Sequence, residues 1–488
     1  MRGFIAGLLF ATAGAATLRA ADPPSVATPV AKDPRVVSAV QLARGWLEAQ
    51  RAYARIPGIS AAVVYRDETL WSGGFGAADL ASGRPADAET LYSICSISKL
   101  FTSIAILQLR DEDKLRLDDS VGQHLPWFRL KTTQGEGDVT IEGLLTHASG
   151  LPQEPAYPYW SAPDFAMPTR EEIIAAGGTI EALYPPEKHH QYSNLGFELL
   201  GEVVVSASGE PYADYVRKNI LGPLSLSSTT PFIPETERGK RFATGYSSLD
   251  RDGKRSPIPF FTMKGVDAAA GFTSDAEDLA RFASWQLRLL ARGGKDVLKA
   301  TTLAEMQRIH WVEPDFNTLW GLGFRIWKND DVFLPGHGGS CPGFRSAVMV
   351  GPKDGVATVF LANAQSVDSP EWAMRLYDIV APAVVAAAKE PGKAKAPDPA
   401  LSRYAGTYDA QPWAGEVLIL PWEDGLAMLE LPTMSPMKDL EKLKKTGEHR
   451  FRRIRKDKEL GEEIVFVMGP DGTPERYTQN NNFLRRIR

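Results

Sequence analysis

Apolar residues along the chain recur with two different periods, and the changes between them outline its elements. Residues 34–53 place Val37, Val40, Leu42, Trp46 and Leu47 at helical spacing, which predicts an amphipathic helix. Two strands are predicted next, over 59–65 and 69–76, joined by a turn at Arg66-Asp67-Glu68. Residues 91–109 open with polar side chains and continue through Leu100, Ile104, Ile106 and Leu107, the pattern of a buried helix. The stretch 151–168 is crowded with prolines and with Tyr157, Tyr159 and Trp160, so an irregular loop over a cleft is expected there. Strand-like runs return at 322–327, 346–350 and 357–362, and a helix at 371–388 ends this part.

The texture then changes. Residues 389–399, KEPGKAKAPDP, have the composition of a linker. Beyond them short alternating runs at 416–420, 426–431, 450–454 and 464–468 are punctuated by Gly, Pro and Asp, as in a small all-β barrel or sandwich. The basic residues of 442–458 are interleaved with acids and read as a solvated face. At the other end, Arg2 precedes an apolar run from Phe4 to Thr17, and Leu18-Arg19-Ala20 offers a cleavage site before Ala21. That is the pattern of a secretory signal peptide, and it predicts a periplasmic or secreted protein. The expected organisation is a signal peptide at 1–20, a flexible lead-in at 21–36, a main domain at 37–388, a linker at 389–399 and a barrel at 400–488.

Composition adds limits. The 488 residues are 43% hydrophobic and 24% charged, enough to bury a full core, and no further run suits a membrane span. A net charge of −5, from 55 basic and 60 acidic residues, carries no footprint for nucleic acid. His189-His190 has no carboxylate or Cys at metal-ligand spacing, so neither metal nor cofactor is expected. Cys95 and Cys341 are the only cysteines; exported, they suit either a disulfide or two buried thiols.

Candidate chemistry begins at Ser96-Ile97-Ser98-Lys99, at the head of the buried helix. Positions i and i+3 share a helix face, so hydroxyl and amine point to one spot. A desolvated lysine can act as base for a serine nucleophile, and the helix N-terminus favours an oxyanion. Alone the motif is weak, because a serine at a helix start is usually a cap. Tyr192-Ser193-Asn194 and His337-Gly338-Gly339 follow at ordered distances, bringing a phenol, an amide and a bare strand edge.

These three segments, in this order, resemble those of the superfamily of serine β-lactamases, penicillin-binding proteins, family VIII esterases and D-aminopeptidase-like hydrolases. Leu144-Leu145-Thr146-His147, Gly271-Phe272-Thr273-Ser274 and Gly343-Phe344-Arg345-Ser346 add to the likeness. The resemblance spans roughly residues 37–388 and implies an α+β fold: an antiparallel sheet flanked by helices, with an all-helical part. It implies that Ser96 forms an acyl-enzyme, that Lys99 and Tyr192 handle its proton and that of the leaving group, and that Asn194 orients Lys99 and substrate. Backbone N–H groups of Ser96 and Ser340, beside Gly339, would form the oxyanion hole. The implied substrates are small esters, amides or peptides, with D-amino-acid peptides, peptidoglycan stems and, weakly, β-lactams among them. His337 departs from the lysine usual in β-lactamases and is mostly neutral at pH 7, which weakens a claim of β-lactam hydrolysis. The same fold would lay the third motif along the nucleophile turn and so implies a Cys95–Cys341 disulfide. The C-terminal region resembles lipocalin-like barrels of some relatives, which could cover the cleft or bind something else. His147 is expected to be a structural turn or core residue, and Trp160 and Trp320 to be packing residues rather than the lining of an acyl pocket. A rival G-x-S-x-G elbow fails, because Gly338-Gly339-Ser340-Cys341-Pro342 lacks the final glycine. A non-catalytic protein that binds cell-wall peptides is the alternative from another class.

Overall fold

The computed structural model describes residues 29–132, 137–155 and 159–488. The expected signal peptide, residues 21–28 of the lead-in and Tyr157 lie outside the described residues. Among those described, nine antiparallel strands form the central sheet. Its order runs Trp311–Val312, Leu319–Trp320, Arg325–Asn329, Val332–Cys341, Phe344–Gly351, Val356–Ala362, Gly58–Tyr65, Glu68–Asp79 and Arg84–Pro85. The early hairpin is thus hydrogen-bonded to the last strand, with Ile59 opposite Ala362 and Tyr65 opposite Val356.

Gly58–Tyr65 is buried along its whole length, so side chains on both faces need cover. Period-two alternation divides them. Ile59, Ala61 and Val63 join a core built with the first helix, Pro34–Tyr53, and the last, Ser369–Lys389. Ala62 and Val64 join a second core on the other face, with the helices Ser98–Asp111, Asn194–Ser208 and Ala276–Arg292. This α+β arrangement is a β-lactamase/transpeptidase-like fold. No helix among the described residues is long and apolar enough to cross a membrane.

The C-terminal part is a meander of eight antiparallel strands, from Gly406–Asp409 to Asn482–Arg485. Its two ends meet where Tyr408 bridges Arg486 and the Ile487 N–H donates to the Thr407 carbonyl at 2.8 Å, so the barrel nearly closes. Leu418, Leu429 and Leu431 on its outer face belong to the core of the first and last helices. Trp46 Nε1 donates to the Thr433 carbonyl at 2.8 Å and the Thr433 N–H to Gln50 Oε1 at 3.0 Å, pinning barrel to helix. The barrel therefore packs on the face of the sheet opposite the helix Ser98–Asp111, away from the side on which Ser96 lies, whereas one of the two expectations had it covering the cleft. Sequence alternation had also marked too few strands: Glu441–Gly447, Pro474–Gln479 and both end strands carry so many polar residues that their period is hidden.

Candidate active site

Ser96 sits on a 3-10 turn, Cys95–Ile97, that leads into Ser98–Asp111. This helix is buried at every position from Ser98 to Leu109, so it threads the second core rather than lying on it. Its start is fixed by bonds across the fold. The Ile94 N–H donates to the Phe272 carbonyl at 2.9 Å, and the Phe272 N–H donates to Ser98 Oγ at 3.0 Å. Cys95 has φ +52°, a left-handed conformation that costs a non-glycine residue about 1–3 kcal/mol and persists only where its surroundings enforce it. Here they do. Cys95 is disulfide-bonded to Cys341, the last residue of the third-motif strand. Two residues earlier, a Cβ on Gly339 would lie 2.3 Å from the Ile94 carbonyl oxygen and 3.2 Å from Cys95 Cβ. Only glycine allows that strand to lie so close. Ser340, the next residue, is exposed.

Lys99 is fully buried. Its amine donates to Asn194 Oδ1 at 2.7 Å and to the Ala269 carbonyl at 2.8 Å, and lies 3.2 Å from Ser96 Oγ. Burial disfavours its charge and lowers its pKa to about 7, against the pull of Glu154 and Glu198. The Lys99 amine also lies 5.0 Å from the centre of the Tyr192 ring, and burial raises the Tyr192 pKa against the influence of the Ser96 side chain, so the phenol stays protonated. Hydroxyl, amine and phenol thus share one pocket.

Tyr192 and Asn194 come from one short segment. Ser193 caps the helix Asn194–Ser208, its Oγ accepting the Gly196 N–H at 2.9 Å. The Ser193 N–H donates to His147 Nδ1 at 3.1 Å, which leaves the ring proton on Nε2. The His147 ring then packs 4.3 Å from the Tyr192 ring, so this histidine positions the tyrosine. Trp320 and His337 close the same cluster, 5.9 and 6.3 Å from Tyr192. Trp160 packs on Tyr159. His337 lies 2.6 Å from the Gly338 carbonyl through Nδ1, and burial, with help from Lys99, lowers its pKa to about 3. It is a neutral ring and offers no fixed positive charge.

Behind the lysine stands a carboxyl pair that the sequence reading did not single out. Glu154 Oε1 accepts from Asn194 Nδ2 at 2.5 Å, which turns the amide so that Oδ1 faces Lys99. The Tyr159 hydroxyl donates to Glu154 and lies 3.3 Å from Glu198 Oε1. Burial, then the neighbouring Glu154, raises the Glu198 pKa to about 8. Glu198 had a visible signal: an acid one turn beyond Asn194, among Leu195, Phe197, Leu199 and Leu200. Glu154, in an irregular loop, had none.

Fold and site together define a β-lactamase-like hydrolase architecture. The family described as Beta-lactamase matches residues 43–381, and the chain belongs to it. Protein flp of Staphylococcus aureus (strain MW2) is 28% identical over 319 residues, 64% of this chain and 60% of that one. The chain thus spans less than two thirds of that relative. Among solved structures, the octameric penicillin-binding protein homologue from Pyrococcus abyssi superposes with TM-score 0.63 at 24% identity, covering 91% of this chain and 100% of that one. A D-stereospecific amidohydrolase from Streptomyces sp. gives TM-score 0.56 at 26% identity, over 69% of this chain and 97% of its own. Proteins of this fold are generally serine hydrolases.

Proposed function

We propose that the protein is an exported serine hydrolase that cleaves ester or amide bonds through an acyl-enzyme on Ser96. The observation that carries this reading is the surroundings of the Lys99 amine. A neutral amine has two N–H bonds and one lone pair. Asn194 Oδ1 and the Ala269 carbonyl are the two nearer acceptors and take the hydrogens, so the lone pair is left for the Ser96 hydroxyl at 3.2 Å.

Ser96 Oγ attacks the substrate carbonyl as its proton passes to Lys99. The negative oxygen that forms is received by the backbone N–H groups of Ser96 and Ser340. The bond to the leaving group breaks, and the leaving atom takes a proton from Tyr192, which is resupplied from Lys99. Water then attacks the ester on Ser96 by the reverse proton route, releasing the acid and restoring the hydroxyl. Neutral His337 supports esters and amides over substrates that need a fixed cation for a carboxylate. The likeness to a D-stereospecific amidohydrolase adds D-amino-acid amides to the candidate substrates. Export is supported by the apolar run after Arg2 and by the disulfide, which persists in oxidising compartments.

The test is a panel of p-nitrophenyl esters, D- and L-alanyl anilides and nitrocefin, run on wild type and on Ser96→Ala. Turnover by wild type that is lost in the variant is expected. Turnover surviving in Ser96→Ala refutes the assignment. Stoichiometric labelling of Ser96 with no turnover would point instead to a peptide-binding protein.

A further inference from the structure

The barrel has a lumen whose two halves differ in chemistry. Side chains two residues apart on a strand share a face, so each inward-facing row can be followed upward. Leu426 and Met428 lie in the barrel core, and the next inward position is Glu430. Leu443 is core and Glu441 continues its row; Phe451 is core and Arg453 continues; Tyr477 is core and Gln479 continues. The apolar floor thus gives way on four strands to polar groups turned inward, where a barrel filled only for stability would continue apolar. Most basic residues of 442–458 are exposed, in keeping with a solvated face, while alternation turns Arg453 toward the lumen, to meet Glu441 at 2.5 Å.

These groups line an open cavity of about 1260 Å³. Trp413 stands at its rim with 88% of its surface exposed. Four acidic and four basic side chains line the cavity, so its charge favours neither an anion nor a cation. An apolar chain such as a fatty acid would give the Glu430 carboxylate and the Gln479 amide at this cavity nothing to bond.

We propose that the barrel mouth is a saccharide-binding site. Vicinal hydroxyls offer both donors and acceptors, which matches paired carboxylates, a guanidinium and the Gln479 amide. The C–H face of a pyranose ring is apolar with a weakly positive edge, and it stacks on an electron-rich indole face such as that of Trp413. The cavity exceeds the roughly 300–1,000 Å³ of ordinary small-molecule pockets, so the ligand is an oligosaccharide rather than a single sugar. Since the barrel packs on the far face of the sheet from Ser96, the site anchors the enzyme to a glycan without occupying its cleft.

The experiment titrates the full chain with chitotetraose, cellotetraose and maltotetraose, followed by tryptophan fluorescence and calorimetry. At least one is expected to bind, with affinity falling about tenfold or more in Trp413→Ala and in Glu430→Gln, while ester turnover stays unchanged. Both side chains are exposed, so the substitutions leave the fold intact. The proposal is overturned if none of the three binds wild type at millimolar concentration, or if Trp413→Ala binds as wild type does. Neither result bears on Ser96, so the hydrolase reading stands or falls separately.

Discussion

Compare the two places where this molecule turns a cation inward. In the barrel, Arg453 meets Glu441 at 2.5 Å in a cavity open to water. At the site, Lys99 is sealed in the core and forms no ion pair among the described residues; its partners are an amide, a carbonyl and a hydroxyl. A buried cation without a counter-ion sheds its proton, whereas a paired and hydrated one does not. The difference teaches what the site requires of its surroundings: acceptors that satisfy a neutral amine, and carboxylates held one residue further away.

The largest expected effect breaks the site side of the comparison. Lys99→Met should lower kcat/KM for a good ester by a factor on the order of 10³ or more, measured by steady-state kinetics. It should also change how stability depends on pH. Lys99 titrates near 7 when folded and near its ordinary 10.5 when unfolded. Between those values the unfolded chain carries the extra proton, so wild-type stability rises with pH there. Relative to Lys99→Met, wild type should gain about 1.4 kcal/mol per pH unit from pH 7 to 10 in urea melts. A constant difference would mean that the amine keeps its proton in the fold.

Replacing both Cys95 and Cys341 by serine comes next. The bridge joins residues 246 apart, and its loss should cost about 2–5 kcal/mol in denaturant titrations. Activity should fall with it, since the bridge ties the nucleophile turn to the strand carrying Ser340. Glu154→Gln sharpens the comparison by altering the carboxylate that pulls hardest on the Lys99 charge. Without that negative charge the Lys99 pKa drops, so the acid limb of the pH–rate profile should move to lower pH, by less than about one unit. A fall in rate with no movement of the limb would assign Glu154 to packing alone. The smallest effect tests the barrel dock: Trp46→Phe removes one hydrogen bond to Thr433, about 1 kcal/mol, and should leave ester turnover unchanged.

Much of the molecule was legible in its sequence, for reasons that differ by element. The first and last helices and the paired strands announced themselves because each buries one face or both, and burial leaves a period. Ser96, Lys99, Tyr192 and His337 lie in short motifs whose residue types are rare together. Glu154 was invisible because its position depends on a loop and its partner, Asn194, is 40 residues away. His147 read as a packing residue, and it is packed; its use lies in what it packs against. The barrel's polar strands were hidden because half of their inward positions face a wet cavity, where alternation no longer separates inside from outside.

The central claim is that Lys99 stands beside Ser96 as an amine that loses its proton near pH 7. Nitrogen NMR of lysine-labelled protein, with Lys99 assigned through the Lys99→Met variant, reads that charge directly. The account expects one lysine resonance to titrate with a midpoint near pH 7, well below all others. If the Lys99 signal stays that of an ammonium up to pH 10, the base proposed here does not exist.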